Sequence, residues 1–194
     1  MYVMTIDQKR SRKSADAVPA LLDVLNSSHA DGLVLGFERT AGDEVQGLVS
    51  NPDLVVDIAI KLLRAGMWSI GIGVGPIEKP LPKSVRAARG AAFIHARTAV
   101  ERAKNAPHAV ALDGFKPDAA HAESALWLLA SVLSRRTEAG WEAVEAVQST
   151  TTQAEAAKKL RISPQAVNSR LHVAGWKEER RGRELVAHLL EGAS

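Results

Sequence analysis

The sequence predicts an α+β chain with a sheet-bearing first part and an all-helical second part. Two observations carry that expectation. Strand and helix signals alternate as far as about Leu112, and no strand pattern appears after Lys116-Pro117. The boundary is placed near Phe115, giving domains over residues 1–115 and 116–194. A third observation sets the scale. With 194 residues, 46% of them apolar, the chain can bury one large core or two small ones, and global disorder is ruled out.

The elements follow in order. Tyr2 to Ile6 reads as a short buried strand ending at Asp7, and Ser11 to Ser14 as a polar, basic loop. Pro19 suits the first turn of a helix running to about Ser28. Gly32 to Phe37 is a second strand. Thr40 to Asp43 has turn chemistry, and Val45 to Val49 resumes as a strand, which is a hairpin signal. Asn51-Pro52 caps a helix reaching Ala65 with Leu54, Val55, Ile58, Leu62 and Leu63 buried. Trp68 to Val74 is a strand. Gly75 to Pro82, with three prolines, is a loop. Ala91 to Lys104 is helical, and His108 to Leu112 is the last strand. In the second part, Ala119 to Glu138 reads as one long helix broken by Gly140, and Trp141 to Gln148 as the next.

Composition removes several classes of function. There is no cysteine, which excludes disulfides, thiolate metal sites and cysteine nucleophiles. The six histidines are scattered, with no pair at zinc-ligand spacing. Met1 to Ile6 lacks the basic and long apolar regions of a signal peptide, and no apolar run nears the roughly 20 residues of a membrane span. The expectation is a cytoplasmic protein with no membrane partner. The net charge is +3. Between Thr152 and the C-terminus stand eight basic and five acidic side chains, so this stretch holds an excess equal to that of the whole chain. Such a stretch is either a nucleic-acid face or a solvated helix surface.

Thr152 to Leu171 decides between these two. Ala156 and Ala157 permit two helices to approach closely, while Leu160, Ile162, Val167 and Leu171 supply a shared core. Ser163 caps the second helix and Pro164 takes its first position, giving a helix from Pro164 to Val173. Gln165, Ala166, Asn168, Ser169, Arg170 and His172 then point outward. Gln and Asn pair bidentately with adenine, and Arg with guanine or phosphate. This segment resembles the helix-turn-helix of bacterial regulators, including sigma-factor-like and LuxR-like DNA-binding domains. In those families the turn position held here by Arg161 is usually glycine. The resemblance implies DNA as partner, a symmetric operator read by a homodimer, and Gln165, Asn168, Ser169, Arg170, His172 and Arg161 as the contacting residues.

The first part carries three fragments of its own: Val3-Met4-Thr5-Ile6-Asp7, Ala41-Gly42-Asp43-Glu44-Val45-Gln46, and Gly90-Ala91-Ala92-Phe93-Ile94-His95-Ala96-Arg97. An acid ending one strand and an acid in the adjoining hairpin can sit side by side, as two-metal phosphoryl transfer requires. The pattern resembles the palm-like domain of class III nucleotide cyclases and GGDEF diguanylate cyclases, and resembles more closely the SatD family, whose hairpin reads Gly-Asp-Glu followed by an apolar or aromatic residue and Gln. The resemblance covers Tyr2 to about Leu112. It implies a ferredoxin-like, palm-type sheet domain, Asp7, Asp43 and Glu44 as metal-binding acids, and Arg97 as a nucleotide-binding residue. Ala41 stands where GGDEF enzymes have glycine, and Ile94 and His95 occupy the region where cyclases carry asparagine. These departures favour a dimerising or ligand-sensing domain over a catalytic one.

Gly71-Ile72-Gly73-Val74-Gly75 is not a dinucleotide fingerprint, because it lies inside a strand pattern rather than at a strand-to-helix turn. Its glycines are expected to admit a closely packed helix. Together these features predict a DNA-binding transcriptional regulator of SatD-like type needing no cofactor. The alternative is a two-metal nucleotide cyclase or nucleotidyltransferase using Asp7 and Asp43 with Mg²⁺.

Overall fold

The computed structural model describes residues 1–27 and 32–194 as a mixed five-stranded sheet with eight α-helices. Strands β1 (Tyr2–Gln8), β2 (Leu33–Arg39), β3 (Glu44–Val49), β4 (Trp68–Val74) and β5 (Val110–Gly114) lie in the order β2-β3-β1-β4-β5. All neighbours are antiparallel except β4 and β5, which run parallel. Helix α1 (Val18–Ser27) follows β1. Ser28, the expected end of that helix, lies outside the described residues.

The two-residue period of β1 assigns its faces. Met4 and Ile6 enter the main core, with α1 and α2 (Pro52–Ala65), while Val3 packs on the opposite side. β4 divides the same way. Ile70, Ile72 and Val74 face the main core. Gly71 and Gly73 face α3 (Ala91–Ala103) so closely that a Cβ would lie 2.3 Å from Val100 N and 2.1 Å from Ala92 O. The glycines therefore serve the close helix packing expected of them. Helix α3 answers with its own small-residue stripe, Ala92, Ala96, Ala99 and Ala103, all buried.

Two helices of the second part join the main core. α4 (Pro117–Ser134) contributes Ala122, Leu126 and Leu129, and α8 (Trp176–Ala193) contributes Val186, Ala187 and Leu190. The expected boundary near Phe115 marks the change from sheet to helices, but the apolar core runs continuously across it. Helices α5 (Glu138–Gln148), α6 (Gln153–Leu160) and α7 (Pro164–Val173) have a separate small core of Ala143, Val144, Ala146, Ala156, Ala157, Val167 and Leu171.

The break between α4 and α5 differs from expectation. α4 ends at Ser134, and Thr137 caps α5 by accepting a hydrogen bond from Gly140 N at 3.2 Å. Gly140 is therefore inside the first turn of α5 rather than a helix breaker. A Cβ there would sit 3.1 Å from Ala174 Cβ and 3.0 Å from Arg136 Cγ, so glycine answers a packing requirement. Among the described residues no helix is long and apolar enough to cross a membrane.

Candidate nucleic-acid interface and a mixed-charge cleft

Local capping builds the α6–α7 pair. Thr152 accepts from Glu155 N at 3.2 Å, and the Glu155 carboxylate accepts from Thr152 N at 3.3 Å, a reciprocal box that fixes the start of α6. Ser163 Oγ accepts from Ala166 N at 3.1 Å, and Pro164 opens α7. Between them Arg161 adopts φ 55°, ψ 41°, the left-handed conformation that usually selects glycine. The unusual residue at the turn thus occupies the backbone geometry that glycine would supply.

On α7, Val167 and Leu171 are buried in the small core, and Gln165, Asn168, Ser169 and His172 are exposed. Their spacing of three, one and three residues puts all four on one outward face. Ala166 is half-buried. Arg170 is directed to α5, where Nη1 lies 3.4 Å from Glu142 Oε2. Part of its charge is therefore answered within the protein. Lys159 likewise donates to Ser149 Oγ at 2.9 Å, and Arg181 pairs with Glu184 at 2.9 Å. Lys158, Arg161, Lys177 and Arg180 are exposed and make no ion pair among the described residues. Of the expected contact residues, the structure gathers Gln165, Asn168, Ser169 and His172. It sets Arg161 at the turn before them and ties Arg170 back to α5.

The second group of expected residues surrounds the C-terminal end of β1. Asp7 is inside the strand, opposite Glu44 on β3 and Ser69 on β4. Burial, opposed by Lys104 and reinforced by the charges of Asp43, Glu44 and Glu101, raises its carboxyl above the ordinary 3.8. Lys104 follows the end of α3. Its hydrogen bond with Glu101, at 2.9 Å, and the charge of Asp7 hold its ammonium above the usual range despite partial burial. Sequence spacing gives no hint of the Asp7–Lys104 neighbourhood, which the sheet and α3 create.

Glu44 is not free. Its Oε1 accepts from Thr40 Oγ1 at 2.7 Å, and its Oε2 is 3.1 Å from Arg97 Nη1. Arg97, expected to hold a nucleotide, thus spans from α3 to the hairpin acid. Among the described residues no three His, Asp or Glu side chains converge as metal ligands. Asp43 and Glu44 lie close enough to Asp7 for their charges to raise its carboxyl. The cleft beside them measures about 770 Å³ and is lined by Asp7, Asp43, Lys104 and the basic turn Arg10, Arg12 and Lys13. Arg10 is itself in the left-handed region, at φ 56°. None of these three turn cations makes an ion pair among the described residues.

Comparison with family models, with curated proteins and with solved structures finds no match to this chain.

Proposed function

We propose that the chain is a DNA-binding transcriptional regulator in which α7 lies in the major groove. The observation that carries this is the single exposed face formed by Gln165, Asn168, Ser169 and His172. It stands on a buried three-helix core and is flanked by uncompensated Lys158, Arg161, Lys177 and Arg180. An α-helix fits the major groove, and amide side chains read adenine edges there. Cations beside the face neutralise phosphates and fix the register. In this reading the sheet unit dimerises the protein or senses a ligand in the cytoplasm, and two copies of α7 read two half-sites. The strand order β2-β3-β1-β4, with β5 at one edge, supports reading the sheet unit as a ferredoxin-like, palm-type domain of SatD-like kind.

The test is a fluorescence-polarisation titration of the full chain against a pool of genomic duplex fragments and matched RNA at two salt concentrations, with sequencing of the retained DNA. Enrichment of a short two-fold-symmetric motif supports a dimeric regulator. Equal retention of all sequences, or none, removes α7 as a reader.

A second reading has one observation in its favour. The cleft of about 770 Å³ is lined by Arg10, Arg12 and Lys13, which make no ion pair among the described residues, and by Asp7 and Asp43. Such a cleft suits a phosphorylated nucleotide. The departures from the cyclase pattern at Ala41, Ile94 and His95 weigh this reading toward binding rather than two-metal turnover. A rise in melting temperature with a nucleoside triphosphate, lost in Arg12→Ala, would support it.

A further inference from the structure

A different cleft lies where the sheet unit meets the three-helix unit. It measures about 560 Å³, within the usual range for small-ligand sites. Its polar wall is Lys9 from the end of β1, Arg64 from the end of α2, His108 before β5, and Ser134 and Arg136 from the α4–α5 corner. Trp141 of α5, with Leu63, Ala130 and Leu133, makes the apolar wall. Among the described residues no carboxylate lines it.

The charges are only partly answered. Arg64 pairs with Glu145 and, at 3.6 Å, with Glu138. Arg136 Nη2 lies 2.7 Å from Glu179 Oε2, and Nε donates to Ala174 O at 2.9 Å. Its Nη1, in a side chain with no exposure, has no hydrogen-bond partner. That guanidinium, with no exposure, is closed to the cleft's contents and serves the buried pair with Glu179. Lys9 Nζ donates to the carbonyl of Gly66 at 3.1 Å and meets no carboxylate among the described residues. Both guanidinium groups stack on Trp141, Arg136 at 4.4 Å and Arg64 at 4.6 Å from the ring centroid. His108 and Ala109 are successive non-glycine residues at φ 57° and 55°, so the backbone here is held in a conformation that side chains disfavour.

We propose that this cleft binds a small organic anion: a phosphate or carboxylate group carried on a flat or apolar body. Lys9 and Arg64 attract the anionic group, and Leu63, Ala130 and Leu133 receive the body. The occupant touches β1 and α2 on one side and α5 on the other. Arg136 also holds the carbonyl of Ala174, the residue that ends α7. A bound anion that draws on Arg64, which shares the Trp141 ring with Arg136, thereby shifts the seat of α7. This coupling rests on the reading of α7 given above. Binding itself does not.

The experiment is isothermal titration of the full chain, without DNA, with adenosine monophosphate, phenyl phosphate and benzoate, and with adenosine as the uncharged control. Tryptophan fluorescence is followed in parallel. The expected result is binding of at least one anion with Kd below about 1 mM and none of adenosine. Lys9→Ala and Arg64→Ala each weaken it about tenfold or more. The accompanying fluorescence change disappears in Trp141→Phe. Heat and fluorescence unchanged with every anion up to about 10 mM overturn the proposal. So does adenosine binding as tightly as its phosphate. A Kd that responds to Arg12→Ala and not to Arg64→Ala moves the anion to the neighbouring cleft and overturns it as well. Failure of DNA binding is read from a separate titration and leaves these outcomes distinct.

Discussion

Arg102 and Glu123 meet over the outer edge of β5, with Arg102 Nη2 2.6 and 2.5 Å from the two carboxylate oxygens. The same carboxylate accepts from Leu112 N at 2.7 Å, and Arg102 Nη1 donates to Leu112 O at 3.3 Å. Trp127 Nε1 donates to Val110 O at 2.8 Å. Side chains of α3 and α4 thus occupy backbone groups that an edge strand would otherwise offer to another chain. Glu123→Ala leaves the Leu112 amide unpaired and half-frees Arg102. The expected loss is about 2–3 kcal/mol, read as a lower urea midpoint, together with increased aggregation in light scattering.

Arg136 and Glu179 form the most deeply buried ion pair, with side chains 0% and 1% exposed. Removing Glu179 strands the Arg136 charge, and removing Arg136 leaves Glu179 with Arg183 alone, at 2.8 Å. Arg136→Met or Glu179→Leu alone should each cost about 3–5 kcal/mol. The double variant should cost clearly less than the two singles added, because neither charge is then stranded. A double-mutant cycle by chemical denaturation checks this.

Gly73 lies directly against the backbone of α3. Gly73→Ala must push that helix off the sheet. The expected cost is about 3 kcal/mol or more, visible as a lower melting temperature. Gly42→Ala, where nothing lies within 4 Å of the new Cβ, should lose only the smaller penalty of a left-handed alanine.

Asn168→Ala should lower affinity for the enriched duplex by about 1–3 kcal/mol while leaving non-specific binding unchanged. Arg161→Gly separates two roles. Glycine suits the left-handed turn, so stability should rise by up to about 1 kcal/mol. If the guanidinium meets a phosphate, the slope of log affinity against log salt falls by about one. Binding titrations over a salt series, with melting curves, read both.

Asp7 gives a pH signature. Its folded carboxyl titrates above its ordinary value, so the protonated form is the one folding favours. That contribution is fully present below the ordinary value of 3.8 and is lost as pH rises through the raised one. At pH 7 the ionised Asp7 destabilises, and Asp7→Asn should raise the melting temperature there. Near pH 3, where Asp7 is protonated in the folded and unfolded chain alike, the two proteins should melt at nearly the same temperature. A gain of the same size at both pH values would rule out the charge as its cause.

What the sequence disclosed is what local chemistry decides. Asn51-Pro52 and Ser163-Pro164 mark helix starts by capping, and α2 and α7 begin where those residues put them. The alternation of β4 and the glycine stripe within it were equally readable. The missed features depend on distant partners. The α4–α5 break turns on Thr137 as cap and on Gly140 meeting Ala174. The entry of α4 and α8 into the sheet's core, the Asp7–Lys104 neighbourhood and the Arg170–Glu142 pair join residues remote in sequence, which no periodicity reports. The outward face of α7 was legible as positions. That Arg170 is drawn back toward α5 was not.

The packing of α4 and α8 into one core has a mechanical consequence for the helices between them. The α5–α7 unit is held at both of its chain crossings, like a drawer on two rails, instead of trailing from a single leash. One backbone cut within it leaves both pieces attached to the sheet unit. Any reorientation of α7 must bend both crossings together, the Ser134–Glu138 corner and the Ala174–Trp176 corner. Arg136 bridges those two corners through Ala174 and Glu179. The unit's swing is therefore geared to one buried guanidinium.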